Sequence, residues 1–151
     1  MRFYTHIAFS FLIGLLLIKY LSIPNQILFI VLFVLSGLLA DIDKIGSQVS
    51  QRFKITSFFI NIFVGHRGLF HSIWIPLLLY LSLFLIKIEI AIAVSFGYLS
   101  HIILDCFTVS GVKLLWPLQK RLRGFVKSGG LAEYAIFVML LFLDLLILLR
   151  F

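Results

Sequence analysis

The chain has 151 residues, enough for one domain, with a mean hydropathy of +1.17, 62% hydrophobic residues and only 13% charged ones. Soluble domains are roughly 45–50% apolar. This composition therefore excludes a water-soluble fold and reads as a single integral membrane domain. The net charge of +7 points to membrane topology and anionic headgroups. No basic stripe with interleaved aromatics suggests a nucleic-acid partner.

A spanning helix needs about 17–25 mostly apolar residues, and five segments qualify or come close. The first covers residues 3–21, between Arg2 and the Ser22-Ile23-Pro24-Asn25 break. It lacks a small-residue cleavage site, so it reads as a retained span. The second, 26–40, is short, which puts Asp41 at or just inside the interface. The third and fourth, 69–86 and 88–107, are joined by a tight turn at Lys87 to Glu89. The fifth covers 131–150. The expected fold class is an all-α polytopic bundle.

Two connections carry apolar residues at helical spacing among cations. In 45–64 these are Val49, Phe53, Thr56, Phe59, Ile60 and Phe63. In 112–127 they are Leu115, Leu118, Leu122 and Phe125, alternating with Lys120, Arg121, Arg123 and Lys127. Both patterns predict amphipathic helices in the interface plane. The single cysteine, Cys106, excludes an internal disulfide and reads as a packing residue.

Alternating helix direction gives each residue a side. Arg2, Lys44, Arg52, Lys54, Arg67, Lys113, Lys120, Arg121, Arg123 and Lys127 share the N-terminal side, against Lys19, Lys87 and Arg150 on the other. The positive-inside rule makes that side cytoplasmic and puts the C-terminus outside. The same parity gathers the polar clusters there: His6, Asp41 and Asp43, His66 and His71, His101 and Asp105, and Glu133. Unrelated polar residues would scatter over both faces. Ionisable groups in such segments are functional candidates by default.

His101 and Asp105 are four apart, so they share a helix face. His66 and His71 are five apart, with Gly65 and Gly68 suggesting a turn around His66. Of Asp41 and Asp43, one can ligate while the other orients a histidine or serves a second ion. Imidazole with carboxylate suits zinc first, then manganese or iron, and the ligand count allows one to three ions. Two such ions can clamp a phosphoester and activate water. Arg67 can grip a phosphate oxygen. The metal set is then His6, Asp41, His66, His71, His101, Asp105 and Glu133, with Asp43, Arg67, Asp105 and Glu133 in catalytic roles. There is no G-x-S-x-G elbow, P-loop or H-E-x-x-H.

His-Arg-Gly-x-x-His-Ser at 66–72, Asp-Ile-Asp at 41–43 and Ser-His-x-x-x-Asp at 100–105 resemble the LexA-binding, inner-membrane-associated hydrolase family, also described as membrane-bound metal-dependent hydrolases. The resemblance runs from Thr5-His6 to Glu133. Phe70 stands where the family commonly has Thr, and Ala40 where it often has Pro; both departures spare the ligand positions. The ligand order is more loosely similar to zinc-dependent phospholipase C and the related single-strand nucleases. The resemblance implies a bacterial-type inner-membrane, phospholipase-like hydrolase.

Together these readings predict hydrolysis of a phosphoester in a lipid or lipid-linked substrate at the cytoplasmic leaflet. The 113–127 segment would attract anionic lipid headgroups. Two other classes stay open. A metal or proton transporter would need polar groups across the bilayer, for which Asp144 is the deep candidate; pairing with Lys19 or a serine is the plainer expectation for it. The third is a metal-stabilised membrane protein without turnover.

Overall fold

The computed structural model describes residues 1–43 and 69–150. Its described elements are α1 (Phe3–Tyr20), α2 (Gln26–Leu39) and a 3-10 turn (Ala40–Asp43), then a second 3-10 turn (Leu69–His71), α3 (Trp74–Phe84), α4 (Ile88–Cys106) and α5 (Leu131–Leu148). The fold is all-helical. Helices α1, α4 and α5 are long and apolar enough to cross a membrane, and α2 and α3 are shorter apolar helices.

Local chemistry sets the boundaries. The Asn25 side chain accepts from the Leu28 backbone N–H at 3.0 Å and caps α2. Beyond α4, Thr108 donates through its hydroxyl to the Asp105 carbonyl at 2.7 Å, satisfying a carbonyl that the helix end leaves open. Helix α4 lies at the centre and packs on α1, α2 and α3, whereas α5 rests mainly on α1. Burial agrees: 56% of the α4 span is buried against 17% of α5.

Lipid tails give no hydrophobic drive for helix association, so close packing of small residues takes over. A Cβ on Gly97 of α4 would collide with the Phe33 carbonyl and the Ser36 hydroxyl of α2. The Ser10 and Ser100 hydroxyls meet at 2.8 Å between α1 and α4. Ser36 donates to the Phe33 carbonyl of its own helix at 2.9 Å, so this serine seam is satisfied without an outside ligand.

Two expectations about the elements change. The single span expected over 69–86 is broken. His71 ends a 3-10 turn and α3 begins at Trp74, because the Ile73 N–H donates to the Leu114 carbonyl at 2.9 Å instead of to a helical partner. The segment 112–127 is not a helix. It folds as a loop in which Val112 and Leu122 pair in antiparallel fashion. Gly111, at φ 59°, makes the turn, and a side chain there would strike Leu122. The interfacial helix expected over 45–64 lies outside the described residues. Asp144 also departs from its plainer expectation: it is 6% exposed and forms no ion pair with Lys19 among the described residues.

Candidate metal centre

Helix direction brings the chemistry to one end of the bundle. His6 lies in the first turn of α1, Asp41 follows α2, His71 precedes α3, and His101 and Asp105 occupy the last turns of α4. His6, His71, His101 and Asp105 are all buried, each 1% exposed or less.

Three imidazoles surround one carboxylate. His6 Nε2 lies 3.4 Å from Asp105 Oδ1, and His71 Nε2 and His101 Nε2 lie 3.8 and 3.9 Å from Asp105 Oδ2. His101 Nε2 is also 3.7 Å from Asp41 Oδ1. The His6 and His101 rings stack at 3.8 Å between centroids, 11° from parallel. The His71 ring stands edge-on to His101 at 5.5 Å.

Two overlapping ligand sets result: His6, His101 and Asp105, and Asp41, His71 and His101, with the ligand atoms of each set within 4.8 Å of one another. These N···O separations exceed the ordinary hydrogen-bond range of about 2.7–3.2 Å. Atoms about 2.0–2.2 Å from one tetrahedral ion stand roughly 3.3–3.6 Å apart; the His6–Asp105 pair matches that spacing, and the other three pairs lie a little beyond it. Both ring nitrogens of His6 and of His101 are buried without a hydrogen-bond partner. Buried polar atoms are ordinarily paired, so the donor set fits a divalent ion. One positive group already faces the cluster: the Met1 ammonium lies 2.6 Å from Asp105 Oδ1.

Residues 1–149 match the family described as YdjM inner membrane protein. The chain belongs to this family. Among relatives in it or near it, the Inner membrane protein YdjM of Escherichia coli (strain K12) is 38% identical over 98 residues, which are 60% of this chain and 50% of that protein. The Uncharacterized protein YvsG of Bacillus subtilis (strain 168) is 33% identical over 101 residues, 64% of this chain and 63% of that one. The chain thus spans about half to two thirds of the length of these relatives. No solved structure matches it. Family membership and the long apolar helices make it a membrane protein.

Within this YdjM-family fold, the sequence-predicted residues fall into three groups. His6, Asp41, His71, His101 and Asp105 come together. Glu133 is placed apart from both ligand sets: its carboxylate accepts from the Arg2 backbone N–H, from the Thr5 hydroxyl at 3.1 Å and from the Gly129 N–H at 2.5 Å. It ties the start of α5 to the start of α1, where His6 sits. His66 and Arg67 lie outside the described residues, and Asp43 ends the turn after α2.

Sequence reasoning missed two supports. Thr5, fully buried, holds Glu133. The Tyr98 hydroxyl donates to the Phe70 carbonyl at 2.8 Å and fixes the backbone just before His71. Tyr98 lies three residues before His101 on one helix face, and that spacing is the signal that could have found it.

Proposed function

We propose that this protein is a membrane-bound, divalent-metal-dependent hydrolase of a phosphoester in a lipid or lipid-linked substrate at the cytoplasmic leaflet. The observation that carries this reading is the convergence of the His6, His71 and His101 Nε2 atoms on Asp105, with Asp41 beside His101. These five residues would hold the metal, zinc by preference with manganese or iron as alternatives. A bound divalent ion supplies Lewis acidity and lowers the pKa of water toward neutrality.

The chain's own residues do the rest. Asp105 faces the three imidazoles and the Met1 ammonium and would supply the anionic ligand. Asp41 would meet the ion beside His101 Nε2 and add a second carboxylate to the ligand set. Glu133 holds the α1 terminus and so the position of His6. His66, as a further ligand, and Arg67, as a fork for a phosphate oxygen, enter from the sequence alone. The resemblance to membrane-bound metal-dependent hydrolases supports the reaction class, and the excess of cations at the site end supports its cytoplasmic placement.

A carrier of metal ions or protons is favoured by one observation. Asp144, about one turn before the end of α5, is 6% exposed and has a carboxylate oxygen without a hydrogen-bond partner.

One experiment separates the two. Detergent-purified protein is analysed for elements, screened against phospholipid mono- and diesters, and assayed for ion flux in sealed proteoliposomes. The hydrolase reading expects roughly one to three ions per chain, turnover that Asp105→Asn abolishes, and little effect of Asp144→Asn. Flux that depends on Asp144, with no hydrolysis across the panel, would sink it.

A further inference from the structure

A second polar feature lies outside the histidine cluster, on the loop joining α4 to α5. Between Phe107 and Gly130 the chain carries Lys113, Lys120, Arg121, Arg123 and Lys127 and no acidic residue. The Val112–Leu122 pairing sets the faces. Side chains alternate along paired segments. Buried Val112 therefore turns inward, while Lys113 on one arm and Arg121 and Arg123 on the other share the opposite face. Together with Gln119 they line an open cleft of about 510 Å³.

Nothing in the described structure neutralises those cations. Lys113 Nζ donates to Gln119 Oε1 at 2.6 Å, and none of the three cations forms an ion pair among the described residues. Like charges set opposite one another on paired segments are destabilising, so a bound anion would stabilise the arrangement.

The loop is also held in place. The Ile73 N–H binds the Leu114 carbonyl at 2.9 Å, the Trp74 indole donates to the Trp116 carbonyl at 2.7 Å, and the Val126 N–H binds the Phe107 carbonyl at 3.0 Å. Its other side chains say where it lies. Leu115, Leu118, Leu122 and Phe125 are exposed, Phe125 by 83%, beside the cations and at the helix ends. Cations flanked by exposed apolar residues and tryptophan belong at the headgroup level of a bilayer.

We infer that the Lys113–Gln119–Arg121–Arg123 cleft binds the phosphate of an anionic phospholipid headgroup while the neighbouring leucines and Phe125 enter the acyl region. Gln119 contributes a neutral amide and the two arginines contribute forked donors, a set matched to phosphate oxygens. The cleft is independent of the hydrolytic reading, because it requires neither a metal ion nor turnover.

The test is isothermal titration of the full chain in neutral detergent with short-chain phosphatidylglycerol, phosphatidylcholine, inorganic phosphate and a single-stranded oligonucleotide, with and without chelator. Phosphatidylglycerol should bind at least about tenfold tighter than the other three, chelator or not. Each cation near a membrane surface contributes about a fivefold factor. The triple variant K113Q/R121Q/R123Q should therefore lose about a hundredfold. Lys127→Gln, on the same loop outside the cleft, should lose less than Arg121→Gln, and the exposed single-site variants serve if the triple variant does not fold. Equal losses for Lys127→Gln and Arg121→Gln would reduce the effect to diffuse charge and overturn the site. Phosphate or the oligonucleotide binding as tightly as the lipid would overturn the lipid assignment.

Discussion

The imidazoles of His6 and His101 stack face to face at 3.8 Å, and both direct Nε2 toward the Asp105 carboxylate. They come from different helices, α1 and α4, so the stack is a product of packing and not of local sequence. Parallel rings with buried, unpartnered nitrogens are poor packing pieces unless something binds those nitrogens. His6→Ala and His101→Ala should each therefore lower metal content per chain to near background, as read by elemental analysis after gel filtration. Full occupancy in both variants would remove the metal centre.

Tyr98 tests whether the site is held from behind. Its hydroxyl fixes the Phe70 carbonyl, next to His71, at 2.8 Å. Tyr98→Phe deletes that bond and leaves every proposed ligand in place. Groups that orient ligands typically contribute about 10–100-fold to metal affinity, and a loss of that size is expected in competition with a chromogenic chelator. An unchanged affinity would make Tyr98 a packing residue only.

Glu133 separates a structural role from a ligand role. Its carboxylate serves the Arg2 and Gly129 backbone N–H groups and the Thr5 hydroxyl, all at the junction of α1 and α5. Glu133→Gln replaces one acceptor oxygen with an N–H₂ that faces donors. An unsatisfied buried group costs about 1–3 kcal/mol, so the midpoint of thermal unfolding should drop while the folded fraction keeps its metal. Loss of metal at unchanged stability would instead make Glu133 a ligand.

Long apolar periods made α1, α4 and α5 legible, since length and composition alone mark a span. The same arithmetic failed wherever a distant partner took over. The break between His71 and Trp74 depends on the Leu114 carbonyl, about forty residues away, which no local pattern announces. The 112–127 loop did carry local warnings in Gly111, Pro117 and Gly124, which outweigh apolar spacing as breakers. For the site, helix parity brought His6, Asp41, His71, His101 and Asp105 to one end without any knowledge of distances. Parity could not separate Glu133 from them, because its partners are mainly backbone N–H groups, which every residue offers.

Sidedness is open to direct measurement. The loop after α4 holds Lys113, Lys120, Arg121, Arg123 and Lys127, and Arg2 lies at the same end, whereas Lys19, Lys87 and Arg150 mark the other. Charge bias of this kind sets orientation by retaining cationic loops in the cytoplasm. Ser128 and Ser22 are both exposed and lie at opposite ends of the helices. In a Cys106→Ala background, Ser22→Cys should react with a membrane-impermeant maleimide in intact cells. Ser128→Cys should react only after the membrane is opened. The reverse pattern would turn the protein over, move the histidine cluster to the outer leaflet and exclude a cytoplasmic-leaflet substrate.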